Sequence, residues 1–575
     1  MNKVYDYLKS NWLEVVMVCI ITLFAVIVRT VVIQNYGELW LDELYSLYFS
    51  YFDNVFQTVS ELVKQDLHMP LYFVILHFWI KIFGVSDISF HSCSLMLSIP
   101  LIPIAFYSMK SLFNRFSGYL AAILFSINTF CAYYSVELRF YCLVLPLTLL
   151  SAVYFVKMLE NLKFKNCLLF VIFQTLLIYT FSIAPLLSLF YLIVGFIYLL
   201  KTDKICLEPF FTAFFALLIL SLPAILISVY NFAAIKGSLV SFQGGIYLFD
   251  WKIIFDILEN FFSTENFQIL TLQLNNYENL VNNLGNVKYV FFVLIPIVFS
   301  LIGFVRALLS KNNKLYLLIV PSILFLVSIY LFAAMGFISF LTKYAIIVYP
   351  MIICAACYGL SLLNKKYVGV ILGILIVVLN YFYILVSPHS VLALYRVDIG
   401  NLPATLEKMN ESVNDLFLIP YSGSRMKCYI NSENIIPFDA DDMLLLKNKK
   451  AKIIYFGDNA NKINRKNLKD ILYDDIAKNQ VSAYYEKYLL NYYLANMQSG
   501  QKLFIVFYRD LATLQLIQYW DLLKKKDIYN QIDTFSLAMA KVSYDSVKIA
   551  EKYLKPINSF RDEVRGYSIF VYQKQ

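Results

Sequence analysis

Long apolar runs alternate with polar segments over the first 390 residues, and all but the Asn-rich segment 231–287 are short. The first run, Trp12–Ile33, contains only two charged residues, Glu14 and Arg29. A helix that crosses a bilayer needs ~20 predominantly apolar residues, and this length predicts about 11 spans. The predicted spans are 12–33, 90–109, 119–134, 140–156, the two halves of 168–200 on either side of Tyr179–Ser182, 209–230, 289–305, 315–334, 344–363 and 367–386.

Two further segments have helical patterns without the length of a span. Segment 52–65 places its apolar residues on one face at helical spacing, which predicts a helix lying on the membrane surface. The apolar run from Pro70 to Phe83 is interrupted by His77 and Lys81 and is short for a crossing. It is interpreted as a second surface or half-buried helix, so residues 52–83 form a juxtamembrane pair.

The pattern changes after residue 390. Lys, Asp and Asn become frequent, and short strand-like runs alternate with helical patterns such as 480–497. The predicted strands are 415–420, 451–456, 502–508 and 567–572. We therefore expect a transmembrane domain over residues 1–390 and a soluble extracytoplasmic α/β domain over residues 391–575. No Gly-rich phosphate loop or nucleophile elbow is visible in the second domain.

The composition agrees with a polytopic membrane protein. The chain is 60% hydrophobic and 15% charged, with a mean hydropathy of +0.65, whereas soluble domains average roughly 25% charged residues. The net charge of +9 comes mainly from short loops and the C-terminal region, so it does not indicate nucleic-acid binding. Most of the nine cysteines lie in apolar runs, which argues against a disulfide framework. No cleavage site follows the first apolar run, so it is interpreted as a retained helix.

The distribution of Lys and Arg sets the orientation of the spans. Positively charged loops face the cytoplasm, which places the N-terminus inside. The basic loops are those near residues 110–115, 157–165, 201–204, 306–314 and 365–366. This topology gathers charged side chains from separate segments at the opposite, outer face. They are Asp42 and Glu43, Asp66 and His68, Glu137 and Arg139, and Lys343. Ionisable residues that cluster at a membrane face indicate a functional site.

Each outer charge also has a less specific interpretation. Asp42 and Glu43 suit a general base or a divalent-cation site, or they belong to an interfacial loop. His68 suits a metal or a phosphate, or it bonds to the backbone. Glu137 and Arg139 either serve a substrate or pair with each other. Lys343 either grips a phosphate or extends to lipid headgroups.

Four stretches together resemble the polyprenol-phosphate-dependent glycosyltransferases of the GT-C type, which include protein O-mannosyltransferases and lipid A aminoarabinose transferases. Leu39–Leu47 is similar to the Asp-Glu motif of their first outer loop, and His68–Gly84 to their His-Pro-Pro-Leu-Tyr segment. Tyr133–Tyr141 resembles their Tyr-Tyr-Ser-x-Glu-x-Arg-x-Tyr turn. Lys343–Tyr344, followed by Tyr349–Pro350, resembles their Arg-Tyr…Pro helix. The likeness extends over roughly residues 10–390.

The resemblance implies a GT-C-like fold and a set of site residues. It implies Asp42 as the catalytic base, with Glu43 beside it in the catalytic site. The implied substrate-binding residues are Asp66, His68, Tyr72, Tyr134, Glu137, Arg139, Lys343 and Tyr344. The chain departs from the pattern at three positions, where Met69 replaces a Pro, Lys343 an Arg and Phe181 a His.

These features together predict an integral glycosyltransferase of the bacterial cytoplasmic membrane. It would pass a sugar, with inversion, from a polyprenyl-phosphate carrier to a lipid, glycan or protein acceptor at the outer face. A divalent metal at Asp42, Glu43 and His68 is a further expectation that the sequence leaves open. Two alternatives are a non-catalytic scaffold for polymer assembly and a secondary transporter. The scarcity of charges inside most spans argues against a transporter.

Overall fold

The computed structural model describes most of the membrane region and part of the C-terminal region. The described residues are 11–34, 41–65, 68–84, 86–202, 207–235, 257, 261, 295–334, 342–363, 367–386, 416–418, 435–436, 494–507, 547–562 and 567–575.

The described part up to residue 386 is helical. The α-helices up to residue 160 are α1 (Trp12–Gln34), α2 (Leu41–Ser50), α3 (Val55–Gln65), α4 (Pro70–Phe83), α5 (Asp87–Ser98), α6 (Leu101–Leu112), α7 (Arg115–Ile127), α8 (Thr129–Val136) and α9 (Tyr141–Glu160). The later ones are α10 (Phe164–Ile178), α11 (Ala184–Lys201), α12 (Glu208–Ile235), α13 (Ile295–Leu309), α14 (Asn313–Ala334), α15 (Tyr349–Ser361) and α16 (Val368–Val386). A 3₁₀ helix, Thr342–Ile347, precedes α15.

These helices fall on the segments that hydropathy predicts to cross the membrane. Among the described residues, 6 helices are long and apolar enough to span, and α7 with α8 make a seventh candidate bent by 61°. The remaining predicted spans correspond to the shorter apolar helices α10, α13, α15 and Val368–Leu379. The class predicted from sequence, a polytopic helical membrane protein, is confirmed.

Helix α1 lies parallel to α7. Near the start of α1, the buried Glu14 carboxylate pairs with Lys110 and, at 3.1 Å, with Arg115 Nε. Near the end of α1, Arg29 reaches the backbone carbonyl of Ser126. Contacts at both ends fix the register of the two helices, and they require both helices to cross in the same direction.

Both segments of the predicted juxtamembrane pair are helical, and their position at the membrane surface stays a prediction. Helix α3 covers most of the amphipathic segment, and α4 begins at Pro70, whose missing amide costs nothing in the first turn. The helix ends before Gly84, which has a φ of 77° that favours glycine. One face of α4 is buried, including Tyr72, Phe73 and Leu76.

The backbones of helices α13 and α15 approach each other closely at two glycines. A Cβ at Gly359 would overlap the Gly303 carbonyl oxygen, and a Cβ at Gly303 would overlap the Ala356 carbonyl oxygen. Small residues at a helix crossing allow this contact, which drives helix association where water is absent.

The described residues of the C-terminal region form one sheet of five strands in the order β2-β1-β3-β5-β4. Its strands are β1 (Leu416–Leu418), β2 (Ile435–Ile436), β3 (Lys502–Phe507), β4 (Lys555–Asp562) and β5 (Tyr567–Gln573). Strand β1 pairs in parallel with β2 and β3, whereas β5 lies antiparallel between β3 and β4.

Three of the predicted strands are confirmed as β1, β3 and β5, and the sequence pattern missed β2 and β4. The predicted strand 451–456 lies outside the described residues, as does most of the helical pattern 480–497. The domain boundary at residue 390 stays a prediction.

Candidate active site

Helix α2 carries Asp42 and Glu43, and Glu43 is completely buried. Its Oε1 accepts a hydrogen bond of 2.8 Å from the backbone N–H of Leu138, in the turn that follows α8. The carboxylate thus ties α2 to that turn and holds the backbone that carries Asp42. The side chain of Asp42 lies outside the described part of the structure.

His91 of α5 supports the same contact. It is buried, and its Nδ1 lies 3.9 Å from Glu43 Oε1. The same nitrogen lies 2.8 Å from the Val136 carbonyl oxygen, to which it must donate because a carbonyl only accepts. His91 therefore links α5 to the last residue of α8, beside the Glu43 carboxylate.

Arg139 joins two further segments. Its guanidinium is buried, and Nη2 lies 2.9 Å from Nε2 of His68 while Nη1 donates to Ser46 Oγ at 3.3 Å. A guanidinium has only donors, so this His68 nitrogen accepts and carries no proton. The guanidinium also lies 5.5 Å from the centre of the Phe140 ring. The structure thus brings together the α2, His68 and Arg139 motifs.

The turn between α8 and α9 is tight. Helix α8 ends at Val136, and the N–H of Arg139 donates to the Glu137 carbonyl at 2.7 Å, two residues back. The Glu137 side chain is buried like that of Arg139. This geometry presents the Leu138 N–H to Glu43 and the Arg139 side chain to His68 at the same time.

Aromatic rings connect this cluster to the 3₁₀ helix that carries Lys343. Ring centres are 5.1 Å apart for His68 and Phe140, 5.5 Å for Phe140 and Phe181, and 6.3 Å for Phe181 and Tyr344. Tyr344 is half-buried. The structure thus links Tyr344 to the cluster through Phe181. The Lys343 side chain lies outside the described residues.

Two predicted substrate-binding tyrosines make packing contacts in this arrangement, and their role toward a substrate stays a prediction. Tyr72 is fully buried and its hydroxyl lies 3.0 Å from Ser94 Oγ, so it joins α4 to α5. The half-buried Tyr134 packs against Phe130 and Tyr141, with ring centres 4.6 and 5.1 Å away. Both help to place the elements that carry the charged groups.

Asp66 lies outside the described residues, so its predicted role stays a prediction. Among the residues whose side chains are described, no three His, Cys, Asp or Glu side chains group together as metal ligands would. The side chains of Asp42 and Asp66 are not among them. The metal expectation therefore also stays a prediction.

Sequence reasoning missed His91 and Ser46. Neither belongs to a charged cluster, and both look ordinary in an apolar sequence. The available signal was the position of His91 near the start of a predicted span, because polar residues inside a membrane protein face the bundle interior and find partners there.

The sequence matches no protein-family model and no curated protein. Among solved structures, it is similar to ArnT from Cupriavidus metallidurans in the apo state, with a TM-score of 0.50, 8% identity and 98% of each chain covered. The same ArnT bound to undecaprenyl phosphate gives a TM-score of 0.49 and 11% identity, again with 98% of each chain covered. The Archaeoglobus fulgidus oligosaccharyltransferase in complex with Zn and sulfate gives a TM-score of 0.41 and 11% identity.

The match with apo ArnT extends over 98% of both chains and shows the fold. The match with the Archaeoglobus oligosaccharyltransferase covers 73% of this chain and 62% of the oligosaccharyltransferase. The chain is therefore a polytopic membrane protein with a GT-C-like fold, as the four motifs predicted.

Proposed function

We propose that this protein is an integral membrane glycosyltransferase. It takes a sugar from a polyprenyl-phosphate carrier and passes it to a lipid, glycan or protein acceptor at the outer face of the bacterial cytoplasmic membrane. The observation that supports this most strongly is the junction of three separated motifs. Glu43 accepts a hydrogen bond from the Leu138 N–H, and Arg139 donates hydrogen bonds to His68 and Ser46.

Asp42 is the base in this proposal. Its carboxylate takes the proton of an acceptor hydroxyl or amine while the acceptor atom attacks the anomeric carbon of the donor sugar. The bond from that carbon to the phosphate oxygen breaks on the opposite face, so the configuration inverts. The products are the glycosylated acceptor and polyprenyl phosphate. Glu43 acts by positioning, since its buried Oε1 already accepts from Leu138.

The departing phosphate gains negative charge, which a nearby cation must stabilise. Arg139 and Lys343 are the proposed cations. The contacts of Arg139 with His68 and Ser46 hold its guanidinium in place before substrate arrives, so little reorganisation is needed during transfer. The half-buried Tyr344 and the buried Phe181 support the segment from which Lys343 extends.

A divalent cation is a separate and optional part of the proposal. The residues considered for it are Asp42, Glu43 and His68. His68 would have to bind a cation through Nδ1, because its Nε2 accepts from Arg139. Assays with and without divalent metal decide whether one is needed.

The experiment measures release of polyprenyl phosphate by protein reconstituted in lipid. A panel of undecaprenyl-phosphate sugars is offered with membranes that supply acceptors. Asp42→Asn should reduce release by ~10²-fold or more, the usual contribution of a positioned base. The matched control is Asp53→Asn, which alters an exposed carboxylate on the same side and should release at the wild-type rate.

Full activity in Asp42→Asn would overturn the assignment of the base. Release from no donor, with folded wild-type protein and acceptors present, would favour the scaffold interpretation instead. Accumulation of a solute inside proteoliposomes would favour a transporter.

A further inference from the structure

Arg29 is a fully buried cation within the first membrane span. Its Nη2 donates to the Phe125 carbonyl at 2.8 Å, and its Nη1 donates to the Ser126 carbonyl at 3.0 Å. Weaker contacts reach the Ala25 carbonyl at 3.2 Å and Cys131 Sγ at 3.5 Å. No carboxylate pairs with Arg29 among the residues that the structure describes.

The two carbonyls that Arg29 binds lie at a bend. Helix α7 ends at Ile127, and α8 continues from Thr129 at an angle of 61°. In a straight helix, the amides four residues later would bond these carbonyls. A sharp bend opens that ladder, and the freed carbonyls form the negative end of the α7 dipole. The Arg29 guanidinium supplies both the hydrogen bonds and the positive charge that this end requires.

The N-terminus of α8, on the other side of the bend, is capped by the residue that precedes it. Asn128 starts α8, and its side chain accepts from the Cys131 N–H at 3.1 Å. Arg29 and Asn128 therefore satisfy the two sides of the break. Backbone groups without partners are costly inside a membrane, so both side chains stabilise the bend.

The bend sets where the proposed active site forms. Helix α8 leads directly to the turn at 137–139, whose Leu138 N–H meets Glu43. Helix α1, which carries Arg29, leads into the helix that carries Asp42 and Glu43. A change in the direction of α8 would move the turn away from α2, and a straight continuation of α7 would not bring it there.

We infer that Arg29 is a positioning residue that fixes the α7–α8 bend and so docks the 137–139 turn against Glu43. A buried charge in a membrane span is costly, and an apolar side chain would cross more readily. The cost is consistent with a requirement for this bend. The effect on catalysis rests on the proposed function, whereas the effect on the turn does not.

Hydrogen–deuterium exchange tests the geometric part without any substrate. In wild-type protein, the peptide covering residues 137–141 should exchange slowly, because the Leu138 N–H is bonded to a buried carboxylate. In Arg29→Met, exchange of this peptide should rise roughly tenfold or more, because two charge-assisted hydrogen bonds that hold the bend are lost. Exchange across α9 should remain at the wild-type rate.

Two other variants make the test specific. Arg29→Lys keeps the charge but loses the fork that reaches two carbonyls, so turn exchange should be intermediate. Thr30→Val changes the neighbouring, lipid-exposed residue, whose hydroxyl bonds only Val26 of its own helix, and it should match wild type.

Wild-type exchange of the turn in a folded Arg29→Met protein would overturn the inference. So would a rise spread equally over α1, α7 and α9, because it would indicate a general loss of packing. If Arg29→Met does not fold, Arg29→Lys takes its place in the test. Wild-type exchange of the turn, or an equal rise over the three helices, would again overturn the inference. If the wild-type protein transfers a sugar, transfer can also be measured in Arg29→Met. Faster exchange of the 137–139 turn with an unchanged transfer rate would show that Arg29 does not position the site. Absence of transfer in wild type bears on the proposed function alone.

Discussion

The guanidinium of Arg139 combines three contacts that a lysine could not reproduce. It donates to His68 and to Ser46 from different nitrogens, and it lies against the Phe140 ring. A lysine has one nitrogen at the end of a flexible chain. The planar fork therefore joins α2, the segment before α4 and the turn after α8 with a single side chain.

Arg139→Lys should lower kcat/KM for the polyprenyl-phosphate donor by about tenfold to a hundredfold, which corresponds to the loss of one hydrogen bond to a charged group. The reconstituted release assay measures it. Arg115→Lys is the matched control, because Arg115 is exposed at the opposite end of the first spans. Equal kinetics in Arg139→Lys and wild type would remove Arg139 from the donor site.

The charged residues of the site could be predicted from sequence, whereas their partners could not. Topology places Glu43, His68 and Arg139 at one face because the basic loops fix the orientation of each span. The sequence allows Glu137 to pair with Arg139, whereas in the structure Arg139 contacts His68, 71 residues away, and Ser46, 93 residues away. Such contacts depend on how the helices pack, and no local sequence pattern predicts them.

At the scale of helices, hydropathy predicts the spans because a chain in lipid must satisfy its backbone hydrogen bonds within helices. The same argument does not reveal where a helix breaks. The predicted span 119–134 is two helices that meet at Asn128, whereas residues 88–112 remain one span although the helix is interrupted at Ile99 and Pro100. The break at Asn128 depends on Arg29, which lies 97 residues from Ser126.

The crossing of α13 and α15 gives a prediction of stability. Gly359→Ala should lower the unfolding temperature in detergent, because the new Cβ meets backbone atoms of Gly303 and Ala307, which cannot rotate away. The two helices must separate, and overpacking of this kind costs about 1–3 kcal/mol. Thermal unfolding followed by intrinsic fluorescence measures the change.

Gly373→Ala is the matched control for this crossing. The three atoms nearest to its new Cβ all belong to the Leu120 side chain, with Cδ1 the nearest at 3.0 Å, and a leucine side chain can adjust its rotamer. A smaller decrease in unfolding temperature is expected there. Equal decreases in the two variants would contradict the close approach of α13 and α15.

At the scale of the whole molecule, the ends of the first spans differ in charge and in contacts. Glu14, Lys110 and Arg115 form an ion cluster at one end of α1 and α7. Glu43, His68 and Arg139 meet beyond the other end. The positive-inside rule assigns the first cluster to the cytoplasm. With the odd number of spans expected from hydropathy, we predict that the C-terminal sheet lies on the same outer side as the proposed site.

Cysteine labelling in whole cells tests this orientation, with Cys428 replaced by serine to remove a thiol from the C-terminal region. A membrane-impermeant maleimide should label Asp53→Cys and Ser559→Cys, which replace exposed residues near the proposed site and in β4. It should label Ser111→Cys, which is exposed near the ion cluster, only after the membrane is permeabilised. Labelling of Ser111→Cys alone in intact cells would invert the topology and place transfer in the cytoplasm. Labelling of Asp53→Cys without Ser559→Cys would keep the site outside but imply an even number of spans, because the sheet would then lie across the membrane from it.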